Sequence, residues 1–200
     1  MHTKQFLPVA ATAIAAAIAL AGCSGTPGPS GTSMPGMDHG NMNNSQPAAA
    51  DHNAADVMFA QMMIPHHTQA IEMSDVILKK QGVPASVTAL ATRIKAAQAP
   101  EIDTMNGWLK DWNQPTSMSS GHAMDGMMSE DDLTKLETAQ GVEAAKLFLS
   151  QMITHHEGAI TMAKTETASG KNADALQLSK DIVKAQESEI KEMQQLLTTL

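Results

Sequence analysis

The sequence predicts an all-α protein, a four-helix bundle built from two repeated helical hairpins. Apolar residues follow helical spacing through most of the chain after residue 51, and no segment alternates apolar and polar residues as a half-buried strand does. A long pattern of residues also occurs twice, once in each half. Two hairpins with apolar stripes bury them most completely against each other, which gives a bundle with pseudo-two-fold symmetry.

The first 22 residues are typical of a lipoprotein signal peptide. Lys4 supplies a positive charge, and the apolar stretch over 7–20 is too short for a permanent membrane-spanning helix. It leads into Leu20-Ala21-Gly22-Cys23, which resembles the bacterial lipobox, and Cys23 is the only cysteine in the chain. We therefore predict that a lipid on Cys23 anchors the mature protein to the bacterial cell membrane, outside the cytoplasm. Secretion without a lipid is the alternative.

Residues 23–50 predict a flexible tether between the lipid and the bundle. They are rich in Gly, Pro, Ser, Asn and Ala and show no apolar periodicity. The bundle is expected over 51–200, with its first hairpin over 51–112. Gly82 is expected to stop the first helix and Pro84 to open the second.

A methionine-rich loop over 113–128 joins the two halves of the bundle. Ser129 and the acidic residues after it resemble a capping box and predict the start of a short helix. Gly141 ends that segment, and the second hairpin is predicted over 141–200 with Gly170 between its two helices.

The internal repeat consists of two motifs. Phe59-x-x-x-Met63-Ile64-x-His66-His67-x-x-Ala70-Ile71-x-Met73 recurs 89 residues later as Phe148-x-x-x-Met152-Ile153-x-His155-His156-x-x-Ala159-Ile160-x-Met162. Ile94-x-x-x-Gln98-x-x-Glu101-Ile102-x-x-Met105 recurs 88 residues later as Ile182-x-x-x-Gln186-x-x-Glu189-Ile190-x-x-Met193. Each hairpin therefore pairs a His-His helix with a Gln-x-x-Glu helix.

Helical spacing directs these polar residues toward the interior. His66 and His155 lie on the apolar stripes of their helices, and His67 and His156 lie at the edges of those stripes. The second helices direct their Gln-x-x-Glu residues, Gln98 with Glu101 and Gln186 with Glu189, the same way.

Two interpretations of this cluster are open. In the first, the glutamates accept hydrogen bonds from the histidines, and the buried polar network fixes the register of the helices. In the second, the cluster binds a transition metal, because imidazole suits copper, zinc, nickel and iron, and a carboxylate can act as a ligand or orient one. The candidate metal ligands are His66, His67, Glu101, His155, His156 and Glu189.

The tether and the central loop add methionine and histidine in Gly-rich sequence, where methionine has no core to fill. Thioether and imidazole together suit Cu(I), whereas Cu(II) prefers imidazole nitrogen. Random drift in unconstrained sequence is the alternative. The candidate ligands are Met37, His39 and Met42 in the tether and His122, Met124 and Met127 in the loop.

Methionines within the predicted helices follow a different pattern. Their helical spacing indicates core packing, so we do not count them as ligands: Met58, Met62, Met63, Met73, Met105, Met152, Met162 and Met193.

Composition excludes other function classes. Lys and Arg total 13 against 21 Asp and Glu, for a net charge of −8, so the chain lacks the basic face that nucleic acid binding needs. We also find no Ser-His-Asp, Cys-His or phosphate-loop pattern that would indicate hydrolysis or nucleotide chemistry.

The doubled His-His-x-x-Ala-Ile-x-Met motif and the Gln-x-x-Glu-Ile-x-x-Met motif resemble those of the domain of unknown function 305 (DUF305) family over residues 51–200. This resemblance implies an exported bacterial protein, often a lipoprotein, with a ferritin-like helical bundle. Some relatives are associated with copper binding and tolerance outside the cytoplasm, which implies a similar role for His66, His67, His155 and His156. Pro100, next to Glu101, departs from the second copy, where Ser188 stands, and predicts a kink in that helix.

We therefore predict a lipid-anchored, extracytoplasmic metal-binding protein that sequesters or transfers copper, with other transition metals as alternative cargo. No enzymatic activity is expected. One alternative is a structural or partner-binding bundle with a buried His/Glu network, and another is a redox metalloenzyme of the cell envelope. The sequence does not indicate a protein partner, and the expected partners are the membrane and a metal ion.

Overall fold

The structure, a computed structural model, describes residues 51–117 and 124–200. These residues form helices and connecting turns and contain no strand, so the predicted all-α class is confirmed. Four long helices make the bundle, and a short one lies between its halves. They are α1 (Ala54–Leu78), α2 (Ala85–Asp111), α3 (Glu130–Thr138), α4 (Gly141–Ser169) and α5 (Ala173–Thr199).

Polar side chains just outside the helices determine where several of them begin. Asn53 caps α1, because its side-chain oxygen accepts from the backbone N–H groups of Ala55 and Asp56. α1 therefore begins at Ala54 rather than at residue 51. Ser129 caps α3 by accepting from the N–H of a residue in its first turn, and Asn172 caps α5 in the same way. α2 continues through Pro100, so this proline does not end the helix.

The bundle is held together along the contact between α1 and α4. α1 packs against α2 and α4 against α5, and α1 and α4 form the main contact between the two hairpins. These two helices are antiparallel: Asn53 Nδ2, before α1, donates to the Ser169 carbonyl at the end of α4, at 2.8 Å. At the other end, Lys80 Nζ donates to the Glu137 and Ala139 carbonyls just before α4, each at 2.7 Å. The middle of α1 therefore lies opposite the middle of α4.

Two apolar clusters form the core, and the repeated polar residues lie between them along every long helix. The first cluster includes Met73, Ile77, Leu90, Ile94, Phe148, Leu149, Met152 and Met193. The second includes Phe59, Met63, Met105, Leu109, Ala159, Met162 and Ile182. Most helical methionines are thus packing residues, as predicted. Met58 is an exception, because its side chain is 46% exposed.

Two carboxyl groups meet in the interior where the start of α1 lies beside the end of α4. Asp56 accepts hydrogen bonds from the backbone N–H groups of Asn53, Lys171 and Asn172. Burial by itself raises the pKa of Asp56, but the hydrogen bonds outweigh this effect and hold the pKa below its usual value. Glu166 is 1% exposed and lies beside Asp56. Burial, together with the neighbouring Asp56, raises the pKa of Glu166 to about 8, so Glu166 carries a proton at neutral pH.

None of the helices in residues 51–117 and 124–200 has both the length and the apolar character to cross a membrane. The predicted signal peptide over 1–22, Cys23 and the tether over 23–50 lie outside the described residues.

Candidate metal centre

The four histidines of the repeat form a layer at the middle of the bundle. His66 and His67 come from α1, and His155 and His156 come from α4. All four are completely buried. The antiparallel packing of α1 against α4 brings the equivalent positions of the two repeats together, and we call these four residues the histidine layer.

His66 and His155 contact each other directly. Their ring centroids are 3.7 Å apart and their planes are tilted by 39°. Burial, reinforced by neighbouring imidazoles such as His67, lowers the pKa of His66 to about 3. Burial and the adjacent His66 lower the pKa of His155 further. Both rings are therefore neutral at neutral pH, and each has a nitrogen lone pair available for a ligand bond.

His67 and His156 are each held by a glutamate from the second helix of their own hairpin. Nε2 of His67 lies 2.7 Å from Glu101 Oε2, and Nε2 of His156 lies 2.7 Å from Glu189 Oε2. An ionised carboxylate can only accept, so Nε2 is the donor in both pairs, and in the neutral form of each ring Nδ1 has the lone pair. Hydrogen bonding of this kind orients imidazoles that bind metals and makes them more basic.

Much of the layer has no hydrogen-bond partner within the protein. Both nitrogens of His66 and of His155 lack one, as does Nδ1 of His67 and of His156. Gln98 and Gln186 are also buried. The amide nitrogen and oxygen of Gln98 and the amide oxygen of Gln186 have no hydrogen-bond partner. An unsatisfied buried polar group costs about 1–3 kcal/mol, so the layer destabilises the fold unless something else binds these atoms.

The unpaired nitrogens fit a transition metal by their chemistry, since neutral imidazole binds copper, zinc and nickel. They do not yet converge on one point. Among residues 51–117 and 124–200, no three His, Cys, Asp or Glu side chains are arranged closely enough to hold an ion. In this arrangement the rings do not form a complete set of ligands, and His66 and His155 lie in contact with each other.

The end of the central loop lies against this layer. Met124 and Met127 are half-buried in the segment that precedes α3. The other candidate ligands outside the helices, Met37, His39, Met42 and His122, lie outside the described residues. Two residues that contact this segment were not predicted from the sequence, Gln69 on α1 and Gly158 on α4. They occupy equivalent positions of the repeat with different residue types, and that mismatch is the signal that could have identified them.

Comparison with known families assigns the chain to one of them. The sequence profile of a domain of unknown function, DUF305, matches residues 56–197. This chain belongs to the DUF305 family. The predicted resemblance is confirmed. None of the curated proteins compared with the DUF305 chain matches it.

Solved structures show the same helical architecture. A DUF305 protein from Streptomyces coelicolor, provisionally named a secreted protein, is 35% identical with a TM-score of 0.69, over 76% of this chain and 95% of its own. A DUF305 fragment from Deinococcus radiodurans is 30% identical with a TM-score of 0.70, over 76% of this chain and 100% of its own. CopM in its Cu(II)-bound form is 33% identical with a TM-score of 0.63, over 72% of this chain and 96% of its own. CopM is also known in Cu(I)-bound and Ag-bound forms.

Proposed function

We propose that this DUF305 protein binds copper at the histidine layer and sequesters it or passes it on. The observation that carries this proposal is the set of buried imidazole nitrogens without a partner on His66, His67, His155 and His156. An ion bonded to them would remove the cost of leaving them unsatisfied. The similarity to CopM, which has been solved with Cu(I), Cu(II) and Ag bound, supports copper over other metals.

The two kinds of candidate ligand suit the two oxidation states of copper. The histidine layer offers nitrogen, which Cu(II) prefers, and the tether and loop offer thioether with imidazole, which suits Cu(I). We assign the capture or relay of Cu(I) to Met37, His39, Met42, His122, Met124 and Met127. Glu101 and Glu189 accept hydrogen bonds from histidines of the layer, so we assign them the orientation of His67 and His156 rather than direct ligation.

A lipid on Cys23 places this binding at the outer face of the cell membrane. The lipobox-like Leu20-Ala21-Gly22-Cys23 supports this assignment, and the Streptomyces coelicolor relative fits an extracytoplasmic location.

A structural role is the second candidate, because the His67–Glu101 bond joins α1 to α2 and the His156–Glu189 bond joins α4 to α5. Thermal melts of the purified full chain with and without Cu(II), Cu(I), Ag(I) and Zn(II) separate the two. A specific ligand at about 100 times its Kd adds about 2.7 kcal/mol of stability, so a bound metal raises Tm measurably. A melting temperature that no metal changes would leave the histidines with a structural role alone.

A further inference from the structure

The segment Met124–Met128 lies across the contact between α1 and α4 at the level of the histidine layer. On the α4 side it packs directly on Gly158: a Cβ added there would lie 2.0 Å from the Asp125 carbonyl oxygen and 2.8 Å from Gly126 Cα. The contact is mutual, because a Cβ on Gly126 would lie 2.9 Å from Gly158 Cα and 2.8 Å from the Thr154 carbonyl oxygen. Gly126 also has a φ of +83°, which favours glycine. Only glycine at both positions allows this approach.

On the α1 side the same segment is held by the side chain of Gln69. Its Nε2 donates to the Met128 carbonyl at 3.0 Å, and its Oε1 accepts from the Met128 N–H at 2.8 Å. Gln69 is 7% exposed, so these bonds are largely shielded from water. A single side chain thus satisfies both backbone groups of Met128.

Gln69 and Gly158 are equivalent positions of the internal repeat, 89 residues apart, and each comes three residues after the core-facing histidine of its helix, His66 or His155. The segment is therefore held from both hairpins, at equivalent positions of the two repeats. Between these points the backbone of Asp125 lies beside the His66 ring. The two central histidines are 0% exposed with the segment in this position.

We propose that Met124–Met128 is a removable cover of the histidine layer, that Gln69 and Gly158 are the positioning residues that hold it, and that metal exchange with solvent requires its release. This inference rests on the proposed function. The cover carries two of the candidate thioether ligands, Met124 and Met127, so its release moves soft ligands between the layer and solvent. Loops that close over buried sites commonly limit the rate of release in this way.

Two variants test the cover from its two sides, and the chain supplies a matched control. Gly158→Ala places a methyl group against Asp125 while favouring the helix, and Gln69→Ala removes both bonds to Met128. Gly107→Ala is the control, because Gly107 also lies within a helix but a Cβ there meets nothing within 4 Å. Each full-length variant is purified in detergent, loaded with Cu(II), and mixed rapidly with excess EDTA to measure the rate of copper loss.

Gln69→Ala is expected to lose Cu(II) about tenfold faster than the parent, the change that loss of one or two hydrogen bonds produces. Gly158→Ala is also expected to lose Cu(II) faster, because its methyl group displaces the segment, whereas Gly107→Ala matches the parent. Hydrogen–deuterium exchange without added metal is a second readout, in which the Met128 amide exchanges faster in both cover variants. Parent-like copper loss in both cover variants, with faster amide exchange, overturns the cover while leaving copper binding intact. A parent protein that binds no Cu(II) overturns the proposed function and the cover with it.

Discussion

His66 and His155 contact each other at the centre of the bundle, with ring centroids 3.7 Å apart, planes tilted by 39°, and no hydrogen-bond partner at any ring nitrogen. They come from equivalent positions of the two repeats, so under the proposed function each half of the protein would supply one of these two ligands. This contact makes the pair the most direct test of the site.

We expect His66→Ala and His155→Ala each to abolish the rise in Tm that Cu(II) produces. Without metal, the cavity left by the ring and the removal of unsatisfied nitrogens offset each other, so the free energy of unfolding should change by less than about 2 kcal/mol. His52→Ala is the control, because His52 lies outside the layer, stacked on Trp112. Thermal melts with and without metal measure both effects. A large loss of stability with an unchanged metal response would contradict the site.

Glu101→Gln and Glu189→Gln test the orientation of the outer histidines. The glutamine amide can donate to Nε2, which would move the ring proton to Nδ1 and remove the lone pair from that buried nitrogen. We expect Cu(II) affinity to fall about 10–100-fold, as for other partners of metal-binding histidines. Competition titrations measure the affinity, and ¹⁵N NMR reports the tautomer. Glu72→Gln, at an exposed position on α1, should leave both unchanged.

Glu166 should make the protein less stable as pH rises. The pKa of Glu166 is about 8 in the fold against 4.5 as a free side chain, so between these values only the folded state keeps the proton. Unfolding then releases a proton, and the free energy of unfolding falls by up to about 1.4 kcal/mol for each pH unit in this window. Glu166→Gln stays neutral at every pH and should abolish this slope. Urea unfolding at pH 5 and pH 8 checks it, with exposed Glu157→Gln as the control.

Replacing Met37, Met42, Met124 and Met127 by leucine together should weaken Cu(I) binding and spare Cu(II) binding. Leucine keeps the apolar volume but lacks the thioether that Cu(I) selects. Circular dichroism should be unchanged, since none of the four lies in a described helix. Competition with a Cu(I) chelator measures the affinity, and Met58→Leu, at an exposed helical position, is the control. If Cu(I) and Cu(II) binding weakened equally, these residues would instead have a role in folding.

Cys23→Ala should release the protein from the membrane fraction or block its maturation, because the lipid on Cys23 is the proposed anchor. Cell fractionation followed by a high-salt wash measures retention. Cys23→Ala protein that stays with the membrane after the wash would show that another contact holds it there.

Much of this structure follows from patterns that extend over a few residues. Caps such as Ser129, breakers such as Gly170, and apolar periodicity placed the helix ends within a few residues, because capping and amphipathicity are local properties. The repeat alone predicted two hairpins and directed His66 and His155 inward. The repeat could not show that Met58 is exposed, because helical spacing predicts which residues share a helix face but not whether another helix covers that face.

The sequence by itself determined the helices, their pairing into two hairpins and the residue types that reach the core. Only the tertiary structure decided that Glu101 pairs with His67, that Asp56 meets Glu166, and that Gln69 and Gly158 hold one loop segment. Each of these contacts joins different helices or a helix and a loop. Such contacts depend on the rotation and axial offset of packed helices, which the fit of all the core side chains sets together and no short stretch of sequence encodes.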